Sequence, residues 1–164
     1  MQINTKEYDP AIHDAYRALS VKQPYADYLT QIEFINDGER FARKRIEVRS
    51  KNTAYRGDLL VCSSAKPIIP GRISGATCGL VELYDVKPVS ELTAEEWEAT
   101  CLPAADRERY SSAFAWMVRN PRRVVEMPIR GQLGIYRLIV PKGDITEYPQ
   151  NLVIGNDGWE MLNK

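Results

Sequence analysis

Hydrophobic positions in this chain fall mostly in short, β-rich runs with turn residues between them, which is the spacing of strands rather than of long helices. The segments Ala18 to Val21, Arg45 to Ser50, Asp58 to Ser63, Cys78 to Val86, Ala113 to Arg119, Arg123 to Met127 and Leu133 to Val140 read as strands. Arg56-Gly57-Asp58, Pro70-Gly71, Asn120-Pro121 and Pro128 to Gly131 punctuate them as turns. One stretch has the helical period: Tyr25, Tyr28, Leu29, Ile32 and Ile35 recur three and four apart. A helix is therefore expected from Pro24, whose fixed φ suits a first helical position, to near Gly38, a typical residue just past a helix end. A second, short and acidic helix is expected after Thr93, because Thr93 and Glu96 can form a capping box. A further helical turn or two is expected between Leu102 and Tyr110. Short strands that close on themselves avoid exposed edges, so the expected architecture is α+β, mainly β: a closed barrel of about six strands with peripheral helices.

The length, 164 residues, fits a single core. Residues 1–17 read as an N-terminal segment, 18–140 as the domain, and 141–164 as an extension, a cap or tail punctuated by Gly143, Pro149, Gly155 and Gly158. A composition 44% hydrophobic and 27% charged excludes global disorder. The 22 basic and 22 acidic side chains balance, so whole-molecule attraction to a polyanion is not available and any such binding must be local. Charge is laid out unevenly: Arg40, Arg43, Lys44, Arg45, Arg49, Lys51 and Arg56 outnumber Glu39 and Glu47, whereas acids dominate from Glu82 to Glu108. The longest apolar run, Ala113 to Val118, is far short of the ~20 residues of a membrane helix, so no span is expected. The first residues lack the apolar core of a secretory signal. Cys62, Cys78 and Cys101 are an odd set that reads as reduced thiols, and a cytoplasmic location is expected. Their wide spacing and the lone His13 give no zinc pattern; neither a metal nor another cofactor is expected.

Three segments could carry chemistry. In Leu19-Ser20-Val21-Lys22-Gln23-Pro24-Tyr25 a strand runs into a helix whose first N–H groups lack intrahelical partners, and such donors, with Lys22 and Gln23 beside them, can hold an anion. The alternative is that Pro24 merely starts the helix and Lys22 is solvated. In Lys44-Arg45-Ile46-Glu47-Val48-Arg49-Ser50, alternation puts Ile46 and Val48 on one face and Arg45, Glu47 and Arg49 on the other. A carboxylate between two cations suits reading a base edge or deprotonating water. The alternative there is an exposed cross-strand ion pair contributing ~0–1 kcal/mol. In Tyr55-Arg56-Gly57-Asp58 the glycine serves a turn, while Arg56 could add a phosphate contact and Tyr55 or Tyr25 a stacking face. Lys66 ends a strand on the expected rim. Trp116 and Cys62 read as core, and no histidine lies near Cys62 to activate it as a nucleophile.

Several segments, taken in order, resemble the ASCH domain, the activating signal cointegrator homology domain of the PUA-like superfamily. They are Leu19 to Ala26, Lys44 to Ser50, Tyr55 to Leu60, Ala65-Lys66-Pro67, Gly79 to Leu83, Asn120-Pro121 and Pro128 to Gly131, spanning about Leu19 to Leu138. The resemblance implies a β-barrel with a cleft between the first helix and the barrel, lined by the Lys-x-x-Glu-x-Arg strand, and contact with RNA, as PUA-like domains typically make. Two departures stand out. The family glycine usually lies two residues before the motif lysine, whereas Gly38 precedes Lys44 by six. Small ASCH amidohydrolases use a threonine three residues after the lysine; here that position is Glu47, which cannot replace a hydroxyl nucleophile, so that activity does not transfer. Glu82 stands in a plausible place for such enzymes' distant acid.

The expected function is binding of RNA or a modified nucleotide in a basic cleft. Lys22, Lys44, Arg49 and Arg56 would hold phosphates, helped by N–H donors at the Pro24 helix start, and Glu47 or Gln23 would read a base edge; Tyr25, Ser50, Tyr55 and Lys66 complete the candidate set. The rival is a metal-independent hydrolase acting on RNA or a modified nucleoside, with Glu47 as general base and Lys44 or Arg49 stabilising negative charge. A third reading makes the acidic 91–98 helix a protein-docking surface.

Overall fold

The computed structural model describes residues 2–149 in full, together with the backbone of Leu152–Gly155 and Gly158–Met161. In chain order the elements are β1 (His13–Val21), α1 (Tyr25–Thr30), β2 (Ile32–Asn36), β3 (Glu39–Ala42), β4 (Ile46–Arg49), β5 (Gly57–Ser63), β6 (Thr77–Pro88), α2 (Ala94–Ala99), β7 (Phe114–Arg123), β8 (Ile135–Pro141), β9 (Leu152–Gly155) and β10 (Gly158–Met161). Single 3-10 turns occur at Thr5–Glu7, Val89–Glu91, Ala104–Asp106 and Glu108–Tyr110, the last two where one or two helical turns were expected.

Six strands form one curled sheet in the order β4-β7-β6-β5-β1-β8. Only β1 and β5 run parallel; every other neighbouring pair is antiparallel. The fold is mainly β, as expected, but it is a half-barrel and not the closed barrel: the edge strands β4 and β8 do not pair with each other, and β8 is met at its outer side by a bridge from Ile3 to Ile139. Two hairpins, β2–β3 and β9–β10, stand outside that sheet, the second within the expected C-terminal extension.

The long helix expected from Pro24 to Gly38 is three elements instead. After α1 the chain is extended at Gln31, and β2 pairs back on β3 through Asp37-Gly38, where both residues have positive φ, 50° and 78°. Two left-handed residues at the tip are the requirement of the tightest hairpin turn, and Asp-Gly meets it, so turn chemistry overrides the helical stripe. The turn expected at Asn120-Pro121 is a bulge inside one strand: Leu80 pairs with Arg122 and Glu82 with Arg119, which leaves an extra residue on β7, with Asn120 at φ 54°. Consequently no separate strand runs from Arg123 to Met127.

The sheet is buried on both faces, which explains the uninterrupted apolar run in β5. Leu59 and Val61 face α1 with Leu19, Leu29, Val81 and Trp116, whereas Leu60 and Cys62 pack with Leu138 and Val140 on the other side. A third cluster, Ile46, Val89, Ala99, Ala115 and Met117, seats α2. That helix begins with the expected capping box between Thr93 and Glu96.

α1 is too short to be stable alone and is pinned by charge. Asp27, 3% exposed, accepts from Arg123 Nη1 and Arg72 Nη1, both at 2.9 Å, and Arg123 Nη1 also donates to Thr30 Oγ1 at 2.8 Å. Close approach requires Gly79 beneath the helix, since a Cβ there would lie 2.7 Å from both the Arg122 carbonyl oxygen and Thr30 Cβ. This arrangement fixes where the residues before and after α1 sit.

Candidate functional site

Lys44 enters between two helices. Its N–H donates to the Tyr28 carbonyl at 3.0 Å, and the Arg45 N–H donates to Ala99 at 2.9 Å, so the approach to β4 is tied to α1 and α2. The side chain is 2% exposed, with Nζ donating to the Thr100 carbonyl at 2.5 Å, 3.4 Å from Glu47 Oε1 and 5.1 Å from the Tyr25 ring centroid. A buried ammonium needs such partners, because desolvation otherwise costs several kcal/mol. Glu47 Oε2 lies 3.3 Å from Arg49 Nε, and Arg49 Nη2 donates to the Ser20 carbonyl at 2.9 Å. The Glu47 carboxylate is thus held between two cations, one from the loop before β4 and one from the strand.

These groups line a cavity of about 570 Å³. Ser20, Val21 and Lys22 from the end of β1, Tyr25 from α1, and Glu47, Val48 and Arg49 from β4 form three sides; Ser64, Ala65, Tyr110 and the loop 131–134 complete it. The loop passes tightly over the end of β1: a Cβ on Gly131 would lie 2.5 Å from Ser20 Oγ. At the mouth Leu133 is 99% exposed. The opening lies where the barrel fails to close, beside edge strand β4 and the start of β8. Its volume suits one drug- or nucleotide-sized ligand.

The family model for the ASCH domain matches residues 19–128. The chain belongs to the ASCH domain family. The matched span includes Lys22, Tyr25, Lys44, Glu47 and Arg49 and stops just short of the loop that closes the cleft. No curated protein matches the chain.

Of the residues expected to form the site of this ASCH domain, those five line the cavity. Gln23 does not: it is buried, its Oε1 accepting from the Asp27 N–H at 3.1 Å and its Nε2 donating to the Ile73 carbonyl at 2.9 Å. It occupies one of the helix-start donors expected for an anion, while Ala26 N–H bonds to the Lys22 carbonyl. Pro24 is the N-cap of a six-residue helix, which offers no anion site of its own. Ser50 is exposed beyond the end of β4 and outside the cavity lining. Tyr55 donates to the Asp58 carbonyl at 2.6 Å and packs on the core, and Arg56 donates to the Thr53 and Tyr55 carbonyls; both serve their own turn. Lys66 is exposed, one residue past the cavity wall at Ala65. Glu82 pairs with Arg119 through two bonds, 3.2 and 2.9 Å, which holds its carboxyl below the usual range, and it does not line the cleft. Sequence reasoning missed Ser20, Tyr110 and Gly131–Gly134; only the Pro128 to Gly131 family segment pointed toward that loop.

A second cavity, about 370 Å³, shares the Lys44 wall and has an apolar floor that includes Leu29, Ile46 and Met117. Two of its rim charges are paired within the fold, Arg119 with Glu82 and Glu96 with Lys87. It gathers none of the other candidate residues. On α2, Glu96 caps the helix and Glu98 pairs with Arg107 at 3.0 Å. Among the described residues no cluster of three His, Cys, Asp or Glu side chains could hold a metal ion, and no helix is long and apolar enough to cross a membrane. Cys62 and Cys78 are buried free thiols, pushed up by desolvation to about 12 and about 11.

Proposed function

We propose that this ASCH domain binds RNA or a modified nucleotide by taking one nucleotide unit into the cleft. The observation that carries the reading is convergence: Lys22 and Tyr25 from one stretch and Lys44, Glu47 and Arg49 from another surround one cavity of about 570 Å³. Membership of a PUA-like family points the same way. In this reading Lys22, exposed at the lip, meets a phosphate, Tyr25 supplies an aromatic wall, and Glu47 accepts hydrogen bonds from a base edge. Lys44 is too buried to be a surface phosphate contact; it orients Glu47.

The test is an anisotropy titration of labelled single-stranded RNA at about 50 and about 200 mM salt. The Lys22→Gln, Arg49→Gln variant should bind more weakly, and its salt slope should fall by about 0.7 for each lost phosphate contact. Salt-insensitive binding that the variant leaves unchanged contradicts the reading.

The hydrolase reading rests on the 3.4 Å Lys44–Glu47 contact inside the cavity. Glu47 would take a proton from water while the neighbouring cations stabilise the developing charge. Turnover of RNA or acylated nucleosides in the presence of chelator, lost in Glu47→Gln, supports it; no turnover, or turnover that survives the substitution, counts against it.

A further inference from the structure

A carboxylate has two oxygens and about four lone-pair directions. In Glu47 each oxygen meets one cation: Oε1 faces Lys44 Nζ at 3.4 Å, and Oε2 faces Arg49 Nε at 3.3 Å. The side chain retains 12% exposure, and the residue lines the cavity. Both contacts are ion pairs without a hydrogen bond, so each of the two neighbouring oxygens keeps acceptor capacity for a ligand. Lys44 Nζ donates to the Thr100 carbonyl and faces Glu47, and with its side chain only 2% exposed it presents little to a ligand in the cleft. Arg49 stands two residues along the same strand and uses Nη2 on the Ser20 carbonyl, while its side chain keeps 30% exposure. A guanidinium carries five N–H donors, so donors remain beside the paired acceptors.

From this order of groups, acceptor, acceptor, then donor, we infer that the cleft selects guanine; the inference rests on the reading that the cleft takes a nucleotide. Guanine alone among the four RNA bases presents two adjacent N–H donors, the 2-amino group and N1–H, followed by a carbonyl acceptor. Uracil has one N–H between two carbonyls, which would face the carboxylate with repulsion. Cytosine and adenine each offer an amino group next to an unprotonated ring nitrogen, which wastes the second acceptor. The base enters edge-first toward Glu47 and leaves its sugar and phosphate toward Lys22 at the mouth. Free guanine nucleotide and an unpaired guanine in RNA share this chemistry.

The experiment is a calorimetric titration of the full chain with the 5′-monophosphates of guanosine, inosine, adenosine, cytidine and uridine. A parallel arm uses single-stranded uridine hexamers carrying one guanine or one inosine. Inosine keeps N1–H and the carbonyl but lacks the 2-amino group, so it should bind about tenfold or more weaker than guanosine, the loss expected for a hydrogen bond to a charged group. The same ratio in the hexamers alone assigns the site to RNA, and in the monophosphates alone to free nucleotide. Glu47→Gln, which replaces one acceptor by an amino donor, should erase the guanosine preference; the wild-type comparison stands even where that variant does not fold. Measurable binding with guanosine and inosine equal, or with another base preferred, overturns the inference and leaves nucleotide binding intact. Absence of binding by every ligand overturns both.

Discussion

Arg49 Nη2 donates to the Ser20 carbonyl at 2.9 Å, joining edge strand β4 to the end of β1 across the open side of the half-barrel. Ser20 lies one position beyond the last β1–β8 pair, Leu19 with Ile135, so the strand ladder has already parted there. A side chain bridges what main-chain pairing leaves open, and the same parting admits the cleft. Replacing Arg49 with Ala should lower stability by about 1.5–3 kcal/mol, the range for a hydrogen bond made by a charged group, in urea unfolding. Arg49→Lys keeps the charge without the fork and should recover only part of it.

Lys44 is the deeper anchor. Lys44→Met fills similar space but leaves the Thr100 carbonyl without its donor and removes one of the two cations facing Glu47. Breaking a buried pair in this way costs about 3–5 kcal/mol. The companion double variant Lys44→Met, Glu47→Leu should be less destabilised than Lys44→Met alone, because it also removes the stranded carboxylate. Equal unfolding midpoints for wild type and Lys44→Met would contradict this role.

Asp27 holds α1 to the sheet through Arg123 and Arg72, and Asp27→Ala should cost about 3–5 kcal/mol by leaving Arg123 buried without its carboxylate. Because Tyr25 opens that helix and Lys22 precedes it, ligand affinity should fall with it. A thermal shift measured beside a binding titration separates the two losses.

Stability should fall in mild alkali. The Cys62 and Cys78 thiols are raised by burial from 9.0 to about 12 and about 11, so they stay protonated in the fold where the unfolded chain ionises. Their contribution is intact below pH 9 and is lost as pH rises from there toward those upper values, by about 1.4 kcal/mol per pH unit for each thiol. Urea midpoints between about pH 8 and about pH 10.5 should drop in wild type and drop less in Cys62→Ala, Cys78→Ala. Parallel curves would contradict the assignment.

Much of this was legible in the chain. The apolar run Leu59 to Cys62 announced a strand, and the Thr93–Glu96 box placed α2; that the strand is buried on both faces came from the structure. Lys44, Glu47 and Arg49 stood out as candidates from spacing and family likeness, and the structure brings them to one cavity. What failed depended on distant partners. The end of α1 is set by the Asp37-Gly38 turn, and the burial of Asp27 by arginines from elsewhere in the chain. Gln23 looked like a base reader because its capping of Asp27 requires the folded loop at Ile73. An open barrel and a closed one have the same strand patterns, since closure is a matter of which edges meet.

The most direct test of the cleft reading is backbone amide chemical shifts recorded while a guanine-containing single-stranded RNA is titrated into the labelled protein at low salt. Shifts should concentrate at Lys22, Tyr25, Glu47, Arg49 and Gly131–Gly134, which line the cleft. Shifts centred instead on Arg40, Arg45 and Arg119 around the second cavity, or none at any residue, would contradict it.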